Sequence, residues 1–250
     1  MPVIKLMLLG VAALVAATVV QGEEAATKPV MLLLTSHGQM GDLDRETGYY
    51  VPEAAHPAKV FANTGIHFEF VSVQGGRPPH DGLDLNDPVV KDFWESETIQ
   101  ELLGETKKVA DVNPADYSAV LVVGGHGTMW DLPDNPDVQN LLTSVYEAGG
   151  VVAAVCHGPV ALVNVKLSGG NYLVAGKRVA AFTNEEEEAM ELSETVPFLL
   201  ESRLVERGAV MQKAPNFESS VVTDERLVTG QNPASAEGVA KEVAQLVLGG

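Results

Sequence analysis

The stretch Gly149–Leu162, "GGVVAAVCHGPVAL", decides how the rest of the chain reads. Its "VVAAV" is an uninterrupted apolar run, as expected of a strand buried on both faces. Paired glycines close the amphipathic segment before it, "NPDVQNLLTSVYEAGG", which predicts a helix. Cys156 and His157 follow the run, and a Gly-Pro pair then opens another helical turn. Cys156 is the single cysteine of the chain. It stands at the end of the run, where packing is not the obvious use for a thiol, and a zinc site would need further ligands. An inert packing cysteine and a reactive one are the two readings left by these residues alone.

The same alternation extends in both directions. "PVMLLLTS" and "YSAVLVVGG" are further buried runs, and "HFEFVSVQG" alternates apolar and polar residues. "VPEAAHPAKVFANTG" predicts a helix that stops at Gly65, despite an interior proline. "RVAAFT" and "RLVTG" read as later strands, and "ASAEGVAKEVAQLVL" as a closing amphipathic helix. Strands alternating with helices through short connections make an α/β fold, a mainly parallel sheet between helices. No repeat or low-complexity linker divides the chain, so residues 28–250 read as one domain. Residues 75–108, rich in Pro, Asp and Glu, read as an insertion with a short helix around "PVVKDFW".

Composition narrows the partners. Thirty-four acidic against 16 basic residues give a net charge of −18 over 250 residues. That argues against nucleic acid, which needs Lys/Arg stripes, and against anionic lipid surfaces. One cysteine excludes an intrachain disulfide and a thiolate-rich metal centre, so cysteine usage does not report the redox compartment. At the N-terminus, Lys5 precedes an uncharged apolar stretch from Leu6 to Val20. That is the length of a signal-peptide core and short for a membrane span of roughly 20 residues. Residues 1–27 therefore read as a targeting segment, with export and no stable membrane span in the mature chain. A buried helix or an uncleaved anchor is the alternative.

The thiol gains meaning from its position. In parallel sheets reacting groups gather beyond the carboxyl ends of the strands, and a strand–turn–helix placement makes a nucleophile elbow, although the hydrolase G-x-S-x-G pattern is absent. Amides and the helix dipole at such a turn favour a thiolate, and Gly158 predicts close substrate approach. "VLVVGGHGTMW" ends another strand in Gly124, Gly125, His126 and Gly127, without the Walker Lys-Ser/Thr or G-x-G-x-x-G spacing. It reads either as a tight turn or as a loop aiming amides at a developing oxyanion, with Gly125 and His126 at the pocket. Glu53 and His56 have a metal-capable spacing but no evident third ligand, so no metal is expected. His37, His67 and His80 read as surface or loop residues.

Taken together, "TGYYVPEAAHP", "GGHGTMWDLP", "AVCHGP", "AAFTNEEE" and "RLVTGQNPAS" resemble the ThiJ/PfpI superfamily, also called class I glutamine amidotransferase-like. More narrowly they resemble its glutathione-independent glyoxalase branch, glyoxalase III, which includes stress-induced chaperone-like proteins. The resemblance runs in order from about Val30 to Leu248 and implies a flavodoxin-like sandwich. It implies Cys156 as nucleophile, His157 as catalytic histidine and Glu187 as the acid, five residues after the Phe182 of the "FT" motif. The unbroken run Glu185–Glu188 leaves a one-residue slip open. Glu53 matches a second acid beside the thiol. A small 2-oxoaldehyde such as methylglyoxal, D-lactate as product, no cofactor and dimeric relatives are the further implications. A holdase-type chaperone and a cysteine hydrolase, peptidase or deglycase, are the rival functions on the same fold.

Overall fold

A computed structural model describes residues 28–249 of the chain. The targeting-segment reading of residues 1–27 lies outside the described residues. Seven strands form the central sheet: β1 (Val30–Leu34), β2 (Phe68–Ser72), β3 (Lys107–Lys108), β4 (Ala119–Val122), β5 (Val151–Val155), β6 (Val221–Asp224) and β7 (Leu227–Gly230). Their spatial order is β6-β7-β5-β4-β1-β2-β3. Every neighbouring pair is parallel except β6 with β7, which form an antiparallel hairpin. All residues of β1, β4 and β5 are buried. Unbroken apolar runs are the consequence of covering both faces, and each fully buried Val or Leu contributes about 1.5–3 kcal/mol.

The helices follow from local signals. Val51–Thr64 begins with Pro52 in its first turn, where a missing N–H costs nothing, and ends on Gly65 in the left-handed conformation at φ 73°. Asn135 caps Pro136–Glu147 by accepting from the Asp137 and Val138 amides. The closing helix Ala236–Leu248 packs on Val51–Thr64 and on β5 and β7. Residues 75–108 carry two helices, Pro88–Glu95 and Glu97–Gly104, before returning to the sheet edge as β3. Among the described residues, no helix is long and apolar enough to cross a membrane.

Two expectations are corrected and one strand was missed. "RVAAFT" forms a strand only at Arg178–Val179, which pairs with Val210–Met211 in a separate two-stranded sheet. Its later amides are used elsewhere: Ala180 donates to Thr229 Oγ1 at 2.9 Å and Phe182 to the Cys156 carbonyl at 2.9 Å. The segment braces the turn after β5 instead of extending a ladder. The turn "HGPVAL" is a short 3₁₀ helix, Gly158–Leu162, and not a regular helix. Strand β6 carries no run of buried apolar residues, because an edge strand is covered on fewer sides, and the sequence reading missed it.

Candidate active site

The carboxyl ends of β1, β4 and β5 lie side by side, and the candidate residues meet there. Cys156 is the first residue beyond β5 and takes φ 61°, a left-handed conformation unusual for a residue with a side chain. Such strain costs of order 1–3 kcal/mol and persists only where the surroundings over-determine it. Here the Cys156 amide donates to the Gly230 carbonyl and its own carbonyl accepts from Phe182, both at 2.9 Å. The side chain is 4% exposed and opens into a cavity of about 350 Å³. Glu53, Gly125, His126 and His157 line the same cavity.

Glu53 reaches the thiol from the first turn of Val51–Thr64 and is fully buried. Its Oε2 accepts from the Gly124 amide at 3.0 Å, whereas Oε1 is buried with no partner in hydrogen-bond geometry. A Cβ at Gly124 would collide with that Oε2 and lie 3.0 Å from the Cys156 Cβ, so glycine is what lets carboxyl and thiol converge. Gly125 turns at φ 106° against the backbone of Gly48–Tyr50. Burial pushes the Glu53 carboxyl up to about 8, against the nearby Cys156 thiol and the Gly124 amide, which favour the charged form. Burial also raises the Cys156 thiol well above its ordinary value, the Glu53 charge adds to this, and the His157 amide opposes it. The helix-dipole expectation for a ready thiolate is therefore corrected: desolvation outweighs one turn of 3₁₀ helix. Thiol and carboxyl instead compete for protons, and the thiolate is favoured when the carboxyl keeps one.

His157 is fully buried with Nδ1 3.4 Å from Cys156 Sγ and Nε2 2.7 Å from Glu187 Oε2. Burial would raise the Glu187 carboxyl, but hydrogen bonds from His126 and His157 outweigh it and hold it at about 2. The ionised carboxylate makes His157 Nε2 the donor, which leaves Nδ1 as the base facing sulfur. Burial, with His126 beside it, lowers His157 to about 4, so the imidazole is neutral at pH 7. His126 donates its Nε2–H to the other Glu187 oxygen at 2.9 Å, its ring 4.0 Å from that of His157. One carboxylate thus orients two imidazoles.

The run Glu185–Glu188 divides by helical phase. Glu187 meets the histidines and Glu186 closes a capping box with Thr183, whereas Glu185 and Glu188 are exposed. The register taken from the "FT" motif places Glu187 where His157 is.

Two further assignments change. Gly158 is not at the cavity: a Cβ there would lie 2.5 Å from the Val122 carbonyl oxygen, so the residue serves close approach to β4 and not substrate access. The Cys156 amide is spent on the Gly230 carbonyl at 2.9 Å and is not free to meet an oxyanion. Glu53 and His56 do not converge, since His56 Nε2 contacts Asp87 Oδ2 at 2.8 Å. His126, His157 and Glu187 bring ligand atoms within 4.8 Å of one another, but both imidazoles already use Nε2 on the carboxylate.

Tyr50, Arg45, Asp81, Met190 and Phe217 also line the cavity and were missed. Tyr50 had a local signal, standing just before the helix start that carries Glu53. Of the other four, Arg45 and Phe217 lie on loops, Asp81 in the two-residue strand His80–Asp81 and Met190 at the C-terminal cap of Asn184–Ala189, and no spacing joins them.

An α/β sheet presenting a strained, buried cysteine between a carboxyl and a His–Glu pair defines a thiol-dependent class of site. Residues 47–246 match the DJ-1/PfpI family, and the chain belongs to it. It is 34% identical over 227 residues to glyoxalase 3 of Candida albicans, covering 86% of this chain and 96% of the relative. It is likewise 34% identical to a glutathione-independent glyoxalase of Saccharomyces cerevisiae, covering 86% and 96%. The crystal structure of a rapid encystment protein of Francisella tularensis superposes with a TM-score of 0.85 at 36% identity, covering 88% of this chain and 99% of that one.

Proposed function

We propose that the protein is a glutathione-independent glyoxalase of the glyoxalase III type, converting 2-oxoaldehydes such as methylglyoxal to 2-hydroxy acids, with D-lactate from methylglyoxal. The observation that carries the reading is the Cys156 thiol at a cavity between the proton-holding Glu53 and the neutral His157. The two named glyoxalase relatives, each matched over 86% of this chain, support it.

The mechanism assigns each group a step. His157 Nδ1 takes the thiol proton, the Glu187 carboxylate stabilises the imidazolium, and the sulfur adds to the aldehyde carbon. The C–S bond forms as the carbonyl π pair moves to oxygen, facing the Gly125 and His157 amides, and protonation of that oxygen gives a hemithioacetal. Glu53, left as carboxylate once its own proton has gone to that oxygen, removes the hydrogen from the carbon, the electron pair passes into the neighbouring ketone, and the His157 imidazolium protonates the ketone oxygen to give an enediol. Glu53 then returns the proton to the second carbon while His157 Nδ1 takes the hydroxyl proton from the first, leaving a 2-hydroxy thioester. One carbon is oxidised and its neighbour reduced, so the redox change is internal to the substrate. Water cleaves the C–S bond, the acid leaves and the thiol is regenerated. In this reading β5 and the Gly158–Leu162 turn form a nucleophile elbow. Export, read from Leu6–Val20, and a homodimer belong to the same proposal.

Purified protein incubated with methylglyoxal without any thiol cofactor is expected to form D-lactate, measured chirally, and Cys156→Ala to abolish it. Equal turnover by Cys156→Ala, or none by the wild type, removes the reading.

A further inference from the structure

We propose that the preferred substrates are neutral 2-oxoaldehydes bearing a flat apolar substituent, an aryl group above all, selected by Phe217 and Met190 at the cavity mouth. The inference rests on the glyoxalase reading for the reacting end of the molecule and concerns the other end.

The cavity is large for a methyl substituent. Its roughly 350 Å³ falls within the 300–1,000 Å³ of pockets that hold much larger ligands. Its outer wall is apolar where surface is ordinarily polar: Met190 is 41% and Phe217 47% exposed, and both line it. Phe217 is held there against local preference. It takes φ 62°, an outlier for a bulky residue, and its amide donates to Glu186 Oε1 at 2.8 Å. That buried oxygen also accepts from Asn232 at 2.8 Å and Gln231 at 3.1 Å, so a polar network enforces the strained backbone that presents the ring. Behind it lies Phe182, its ring centroid 6.3 Å from that of Phe217 and 4.3 Å from His157. An aryl group entering from the reacting carbonyl finds tilted aromatic faces and a thioether, both favourable partners for a ring.

The polar side of the mouth disfavours anions. Arg45 is the guanidinium at the cavity, and Asp81 stands 3.9 Å from it. The ionised Glu187 lies deeper, in a chain of net charge −18. A carboxylated or phosphorylated substituent meets there one guanidinium, which already faces Asp81.

The test compares kcat/KM for phenylglyoxal and methylglyoxal. The wild type is expected to favour phenylglyoxal by about tenfold or more, and Phe217→Ala and Met190→Ala each to lower that ratio several-fold. A wild-type ratio below one, or a ratio unmoved by both variants, overturns the proposal. A second measurement is independent of turnover: calorimetric titration with acetophenone, which lacks the aldehyde, against acetone. Acetophenone binding that weakens in Phe217→Ala supports the assignment even if neither dicarbonyl is turned over, in which case only the glyoxalase reading falls. Absence of acetophenone binding overturns it even if methylglyoxal is a substrate.

Discussion

Glu53 concentrates the chemistry of this protein in one side chain. A carboxyl with no access to water, one hydrogen-bonded oxygen and one orphaned oxygen is an unfavourable place for charge, and burial moves its titration to about 8. Its sign for catalysis follows. Below about pH 8 carboxyl and thiol both hold protons, and the reactive form appears as the first of these leaves. The pH profile of kcat/KM is therefore expected to rise through about 8, and Glu53→Gln to remove that limb and lower activity at least about 10²-fold. Its sign for stability is opposite to that of an ordinary ion-paired acid. The folded-state value is raised, so below the unfolded value near 4.5 folding loses nothing, and between there and about 8 the unfolded state is increasingly favoured by its ionisation. Glu53→Gln is accordingly expected to raise Tm at pH 7.5, with the gain vanishing near pH 4. Thermal unfolding of both proteins across that range checks it; a gain independent of pH would mean that ionisation is not the cause.

At the scale of elements, the turn after β5 is built by close backbone approach. Gly158 lies so near the Val122 carbonyl that a methyl group would sit 2.5 Å from its oxygen. Gly158→Ala is expected to destabilise by about 1–3 kcal/mol through overpacking. It should also reduce activity, because displacement of the turn moves Cys156 and His157. Thermal unfolding beside initial rates decides it, and an unaltered Tm would show that β4 yields freely. Elements of this kind were legible wherever burial is two-sided or a cap is local. β1, β4 and β5 announced themselves as apolar runs, and Val51–Thr64 by its helical pattern and Gly65 end. β6 and the fate of "RVAAFT" were not legible, because an edge strand lacks a buried signature and the Ala180 and Phe182 amides choose distant partners, Thr229 and Cys156.

At the scale of the whole molecule, charge is the distinguishing property. A net charge of −18 produces a negative field around the cavity, and such fields steer ligands until salt screens them. Raising ionic strength from about 0.01 to 0.15 M shortens the screening length from about 30 to 8 Å. That change is expected to increase kcat/KM several-fold for a carboxylated 2-oxoaldehyde and to leave methylglyoxal within about twofold. A carboxylated substrate that slows with salt would mean that Arg45 dominates the local field. The central sheet makes the site possible at this scale, since its order sets the ends of β1, β4 and β5 side by side.

By itself the sequence determined the layered α/β class, and its resemblance to a known family singled out Cys156, His157, Glu187 and Glu53. Periodicity, composition and motif register are properties of a linear string. Only the tertiary structure decided that Gly158 faces β4, that the Cys156 amide is already spent, that His126 shares Glu187, and that Phe217 and Met190 guard the mouth. Those facts depend on which distant segments the sheet brings within a few ångströms, and on how completely water is driven from between them. Desolvation, which turns a glutamate on a helix's first turn into an acid near neutrality, exists only once the neighbours have closed around it.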